Sequence, residues 1–204
     1  MKTAPPLSPP PNGARPFVFL DKSALLLDQP FNVDPARLRF AAGWSLAAER
    51  LYQAGFSLAV VSNESGIAFG YYDEHALDVL HRHVAARFAS RALELAGFLY
   101  CPHHPEGTVA RYVRNCDCHL PQPGLLRRAA IEMDADLRRS WLVGHSADDV
   151  LAARNADCRA MLVDSGHEPE LLVARRQAQP YEVAPDLITA ADLITAGQHA
   201  EAAA

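Results

Sequence analysis

No apolar run in this 204-residue chain approaches the ~20 residues needed to cross a bilayer, and its first residues lack the apolar core of a secretory signal. Basic residues are not in excess either. Nineteen Lys and Arg stand against 24 Asp and Glu, a net charge of -5, so the broad basic footprint that nucleic acid requires is missing. Neither a membrane nor nucleic acid is therefore an expected partner. Cysteine is scarce, with four in the chain. That argues against the disulfide framework of small secreted domains and for a reducing, cytoplasmic compartment. What the chain does have is apolar mass, 50% of its residues, enough for one sizeable core.

Three of the four cysteines fall in one stretch, Leu99 to Gly124, reading LYCPHHPEGTVARYVRNCDCHLPQPG. It holds Cys101-x-His103 and Cys116-x-Cys118, separated by twelve residues. Three thiols and an imidazole are the soft donor set that suits tetrahedral Zn²⁺. Pro102 and Pro105 stiffen the first pair, and the long insert reads as a loop over 99–124 that the ion would staple. Four protein ligands close the coordination shell, so the expected zinc is structural. The rival reading is a disulfide, or plain buried thiols. Cys158 stands apart from the cluster.

Along the chain, residues 1–16 are rich in proline and read as a disordered tail. A single domain is expected over 17–196, with a flexible C-terminal tail over 197–204. Phe17-Val-Phe-Leu20 is strand-like and runs into Asp21, at the end of a strand where open α/β sheets bind ligands. Spacing predicts a helix over Ala36–Ala54, with Leu46 and Leu51 in the core and Gly55 as its cap. A second strand, Phe56–Val61, ends in Ser62-Asn63-Glu64-Ser65-Gly66, a phosphate-cradle composition that is also a common strand-end turn. A long helix is expected over Asp73–Ala96, with Leu77, Leu80, Val84, Phe88, Leu93 and Leu95 as apolar positions and His75, His81 and His83 as solvated or capping. Beyond the cysteine loop come a helix over Gly124–Met133, a strand Trp141–Gly144 running into His145-Ser-Ala-Asp148-Asp149, a helix over Val150–Asp157 and a strand Ala160–Val163 ending near Asp164. Leu171–Ala178 reads as a surface helix, and DLITAADLITA as a short amphipathic one. This alternation predicts an α/β fold, a mostly parallel sheet with helices on both faces and its site at the carboxyl ends of the strands.

Four segments carry a family resemblance: FVFLDKS, VVSNESGIAFGYY, CPHHPEG with CDCHLPQPG, and WLVGHSADDVLAARNA. The chain resembles the haloacid dehalogenase (HAD) superfamily, and within it the zinc-containing branch of D-glycero-D-manno-heptose-1,7-bisphosphate phosphatase and histidinol-phosphate phosphatase. That likeness implies a three-layer Rossmann-like fold without a large cap domain and a phosphoric monoester hydrolase chemistry. It also implies Asp21 as nucleophile, Ser62 and Asn63 as phosphate ligands, and a Mg²⁺ site at Asp21 and Asp149.

The sequence departs from the pattern that the resemblance implies at three places. Ser23 stands where the family has its general acid and base, and a serine hydroxyl has no useful acidity near neutral pH. His119 and Leu120 stand where an Arg-Lys pair precedes Pro-x-Pro-Gly, so a fixed positive charge is lost from the phosphoryl site. His145 replaces a carboxylate ligand, which weakens a Mg²⁺ site because that ion seeks hard oxygen donors. The expectation is a degenerate phosphatase with little or no hydrolysis, a monomer or homodimer whose retained fold is open to a small sugar phosphate, a partner enzyme or a twin subunit. The alternative is an active sugar-phosphate phosphatase using Asp21 with a softer metal recruited by His145, or with Asp28 or His119 as proton donor.

Overall fold

The computed structural model describes residues 13–27, 31–163 and 181–202, with the side chains of 198–202 left aside. Among the described residues, six strands form one sheet in the order β3-β2-β1-β4-β5-β6: β1 (Phe17–Asp21), β2 (Ser57–Asn63), β3 (Leu95–Cys101), β4 (Trp141–Gly144), β5 (Arg159–Val163) and β6 (Glu182–Ala184). Every pairing is parallel. Strands buried on both faces read as nearly continuous apolar runs, as FVFL, LAVV and WLV do here.

The α-helices among the described residues are α1 (Lys22–Leu25), α2 (Trp44–Gln53), α3 (Ser65–Ala68), α4 (Glu74–Ala89), α5 (Gly124–Glu132), α6 (Ala147–Asn155) and α7 (Leu187–Ala202). Side chains alternate across the sheet, so β1 feeds two cores. Val18 and Leu20 join Trp44 of α2, Leu80 of α4 and Ile194 of α7 on one face. Phe17 and Phe19 join Leu125 and Leu126 of α5 and Ala152 and Ala153 of α6 on the other. Because β1 leads to β2 and β3 on one side while β4, β5 and β6 lie on the other, strand order reverses between β1 and β4. That crevice is where such sheets hold ligands.

The structure corrects two expected helices and the places of two side chains on them. The helix expected over Ala36–Ala54 is confined to α2: Pro35–Arg37 make a single 3₁₀ turn, the chain then extends through Phe40, which bridges to Leu26, and Gly43 adopts φ 73° ahead of α2. Leu46 is consequently exposed, while Leu51 is buried as expected. The helix expected over Asp73–Ala96 stops at Ala89: Ala92 turns through φ 57°, Leu93 packs in the turn, and Leu95 opens β3. No glycine or proline marks that break. His81 is neither solvated nor a cap, because its ring stacks on Phe98 of β3 with centroids 4.1 Å apart. Burial there lowers its pKa to about 4. Leu77, Leu80, Val84 and Phe88 form the buried face as expected.

The ends differ too. Arg15 already bridges to Ala135, ahead of the boundary expected at residue 17, and α7 continues to Ala202, past the one expected at 196. Strand β6 had no expected counterpart. The expected helix Leu171–Ala178, the strand end near Asp164, and Asp28 lie outside the described residues. Among the described residues no helix is long and apolar enough to cross a membrane.

Candidate functional site

Asp21 closes β1 and starts α1, where its Oδ1 accepts hydrogen bonds from the backbone N–H of Ser23 at 2.9 Å and of Ala24 at 3.3 Å. It is thus an N-cap as well as a strand-end carboxylate. The adjacent strand β4 ends at Gly144, and the next residue, His145, sets its Nδ1 3.1 Å from Asp21 Oδ1. From the first turn of α6, Asp149 brings Oδ2 within 3.7 Å of the same nitrogen. Gly144 permits this approach, since a Cβ there would overlap the Asp149 side chain.

Asp149 is itself anchored. Its Oδ2 accepts from the Ser146 N–H at 2.9 Å and the Ser146 hydroxyl at 2.6 Å, closing a capping box at the start of α6. Burial, and then the neighbouring Asp21 charge, push its carboxyl up to about 7. Asp21, His145 and Asp149 each place one donor atom within 4.8 Å of the others.

Beside this trio lies a second, closed network. Glu64 is 1% exposed and its Oε1 receives Lys22 Nζ at 2.6 Å and the Ser62 hydroxyl at 2.7 Å. Tyr72 donates its hydroxyl to Oε2. Gly66 leaves room for the Tyr72 ring, which a Cβ would strike. The phenol is held far toward its neutral form by burial and by the Glu64 charge. Asn63 is equally engaged: its amide donates to the Leu120 carbonyl at 3.1 Å and its Oδ1 accepts the Leu120 N–H at 2.9 Å. Leu120 is buried in the second core, and the peptide bond to Pro121 is cis. His119 sits half-buried against His104, and its burial holds the imidazole below its usual pKa. Ser23 is exposed at the mouth of the site.

The cysteine cluster closes over the end of β3. Cys101 Sγ lies 3.5 Å from Cys116 Sγ, Cys118 Sγ lies 3.0 and 3.3 Å from those two, and His103 Nδ1 lies 3.3 Å from Cys118 Sγ. These gaps are far beyond an S–S bond of ~2.0 Å, so the thiols are free. They are somewhat shorter than the ~3.8 Å edges of a tetrahedron with ~2.3 Å metal–sulfur bonds, so a slight opening of the cluster would admit an ion. Hydrogen bonding from Cys101 is the main effect lowering the Cys118 thiol to about 5, toward the thiolate a metal needs. These four residues are therefore placed to hold one metal ion.

Among the described residues, the site residues named from the sequence are gathered on the carboxyl side of β1, β2, β3 and β4; Asp28 lies outside them. Sequence reasoning missed Lys22, Glu64, Tyr72 and Ser146. Lys22 and Glu64 each sit one residue from a named position, so a search for opposite charges at two strand ends would have paired them. Tyr72 carried no such signal.

A family model described as HAD-hydrolase-like matches residues 118–190. The chain is 36% identical over 139 residues to the D-glycero-beta-D-manno-heptose-1,7-bisphosphate 7-phosphatase of Photorhabdus laumondii, covering 68% of this chain and 74% of that one. Against the enzyme of the same name from Escherichia coli K12 it is 35% identical, covering 68% and 73%. Among solved structures, the D,D-heptose 1,7-bisphosphate phosphatase from B. bronchiseptica, complexed with magnesium and phosphate, superimposes with a TM-score of 0.75 at 26% identity, over 89% of this chain and 99% of that one.

Proposed function

Since the chain belongs to the HAD superfamily, among relatives of the heptose-1,7-bisphosphate 7-phosphatases, we propose that it is a phosphatase-like member of that group in which hydrolysis of phosphate monoesters is largely lost. One observation carries this reading: the side chains expected to take phosphate oxygens are spent inside the protein. Ser62 gives its hydroxyl proton to Glu64, and Asn63 uses both ends of its amide on Leu120. A phosphate would have to displace both bonds while facing the buried Glu64 carboxylate, whose charge Lys22 only balances. The chemical steps lose their agents as well. Ser23 offers no proton to an alkoxide leaving group and cannot deprotonate water, a loss of about 10²- to 10⁴-fold. Leu120 supplies no charge to the phosphoryl oxygens.

The Cys101, His103, Cys116 and Cys118 set fits a structural Zn²⁺, whose four bonds would hold the 99–124 loop against the end of β3. The carboxylates Asp21 and Asp149 suit Mg²⁺, but the imidazole between them does not. A second reading, an active sugar-phosphate phosphatase with Asp21 as nucleophile, is favoured by the convergence of Asp21, His145 and Asp149. The deciding experiment measures phosphate release from a panel of sugar phosphates, heptose 1,7-bisphosphate included, with Mg²⁺, Mn²⁺ or Zn²⁺. The expected result is no release that depends on Asp21, with Asp21→Asn equal to the parent protein. Rapid release abolished by Asp21→Asn would establish the second reading.

A further inference from the structure

The trio at the junction of β1 and β4 has a donor set that the lost hydrolysis does not explain. From it we infer that Asp21, His145 and Asp149 form a mononuclear site for a borderline divalent transition cation such as Zn²⁺ or Co²⁺, in preference to Mg²⁺. This inference shares the site with the reading above but not its claim about turnover.

Geometry supports it first. Around one ion with bonds of ~2.1 Å, neighbouring donor atoms lie about 3.0 Å apart in an octahedron and about 3.4 Å apart in a tetrahedron. His145 Nδ1 lies 3.1 Å from Asp21 Oδ1 and 3.7 Å from Asp149 Oδ2, and all three donor atoms fall within 4.8 Å of one another. A small movement of the His145 ring would admit an ion between them. That ring is the adjustable member, with 48% of its side chain exposed against 8% for Asp21 and 4% for Asp149. The two carboxylates are fixed by backbone N–H groups of α1 and of the turn into α6. Its open face would leave coordination positions for water or a small anionic ligand.

Donor chemistry then sets the choice of ion. Two carboxylates and one neutral imidazole make a mixed oxygen and nitrogen site. Imidazole suits zinc and the later transition metals, whose affinities rise along the divalent series, whereas Mg²⁺ keeps oxygen ligands and its own waters. The substitution at 145 therefore changes which ion the pocket prefers and keeps its two fixed carboxylates.

The test uses the full chain with its Cys/His loop first saturated with Zn²⁺, then titrated with Co²⁺ or Mg²⁺ by calorimetry and visible absorption. One further equivalent of Co²⁺ is expected to bind at least about tenfold more tightly than Mg²⁺. Its d–d bands should appear without the thiolate charge-transfer absorption that would betray exchange into the cysteine loop. His145→Ala should weaken Co²⁺ about tenfold or more while leaving Mg²⁺ nearly unchanged, and His145→Asp should turn the preference toward Mg²⁺. Absence of a second equivalent, equal affinity for the two ions, or Co²⁺ binding indifferent to His145→Ala would each overturn the inference. The first result would make the imidazole itself the partner of the two carboxylates. Binding is read without substrate, so turnover in the phosphate assay would overturn the functional reading and leave this one standing.

Discussion

Lys22 and Glu64 show how one pair of residues shapes the site. Both side chains are largely removed from water, and each meets the other at 2.6 Å. Removing one partner of such a pair strands the other, at a cost of about 3–5 kcal/mol, whereas replacing both is much milder. Lys22→Met is accordingly expected to lower stability by about 3 kcal/mol, and Lys22→Met with Glu64→Gln by clearly less than the two single changes combined. Urea unfolding of the four proteins in a double-mutant cycle measures this. Ser62 shares Oε1 with Lys22, so freeing it alone is not expected to create a phosphate donor. Glu64→Gln does more than free Ser62: it removes the carboxylate a phosphate would face and leaves Lys22 unbalanced, so it should raise phosphate affinity, followed by calorimetry, above that of the parent.

Helix α4 and strand β3 meet through His81 and Phe98, and this contact gives the elements a pH dependence. The folded imidazole has a pKa of about 4 against 6.5 in the open chain, chiefly because burial disfavours its charged form. The unfolded chain therefore takes up the proton first. Stability falls as pH drops below about 6.5, and the loss is complete near pH 4. Allowing for solvent at the ring's open edge, it should reach about 2 kcal/mol. His81→Phe keeps the stack and removes the titration, so the two proteins' stability curves should diverge across that window and run parallel above it. A constant difference at all pH values would mean that His81 is not protonated preferentially in the unfolded chain. The same junction shows where sequence patterning ran out. Leu77, Leu80, Val84 and Phe88 announced a helix face, but Leu93 and Leu95 kept its spacing while belonging to a turn and a strand. Ala92 makes that turn at φ 57°, a conformation that usually calls for glycine, so nothing in the letters marked it. Gly43 set back the start of the other expected helix in the same left-handed region, in a position where a glycine alone is too common a signal.

For the molecule as a whole, the parallel sheet and the gathering of its site at the strand ends were legible because each buried strand is an apolar run that stops at a polar residue. The cysteine cluster was legible from spacing. What could not be read was the internal pairing: Glu64 with Lys22, and Asn63 with Leu120, are contacts between distant strand ends and loops that no local pattern encodes. The cysteine loop links these parts, starting at the last residue of β3 and ending at Gly124, the first of α5. If zinc holds it, chelation should open residues 99–124 to proteolysis and lower the melting temperature. Cleavage is expected within the loop before the sheet, and mass spectrometry of the early fragments would locate it. An unchanged cleavage pattern after complete metal removal would show that packing alone holds the loop.

Leu120 has a further consequence, in evolutionary terms. Its side chain is 3% exposed among the apolar residues packed beneath the sheet, and its backbone holds the Asn63 amide at both ends. A lysine introduced there would enter a space shaped for leucine, its charge set among apolar side chains. On the proposed reading, a single Leu120→Lys step toward a charged phosphate site is therefore harmful before it is useful. On that reading, leucine at this position works as a ratchet: a change toward a charged site requires the loop to shift and Asn63 to be released together, so descendants of this chain are freer to find new ligands than to gain that one.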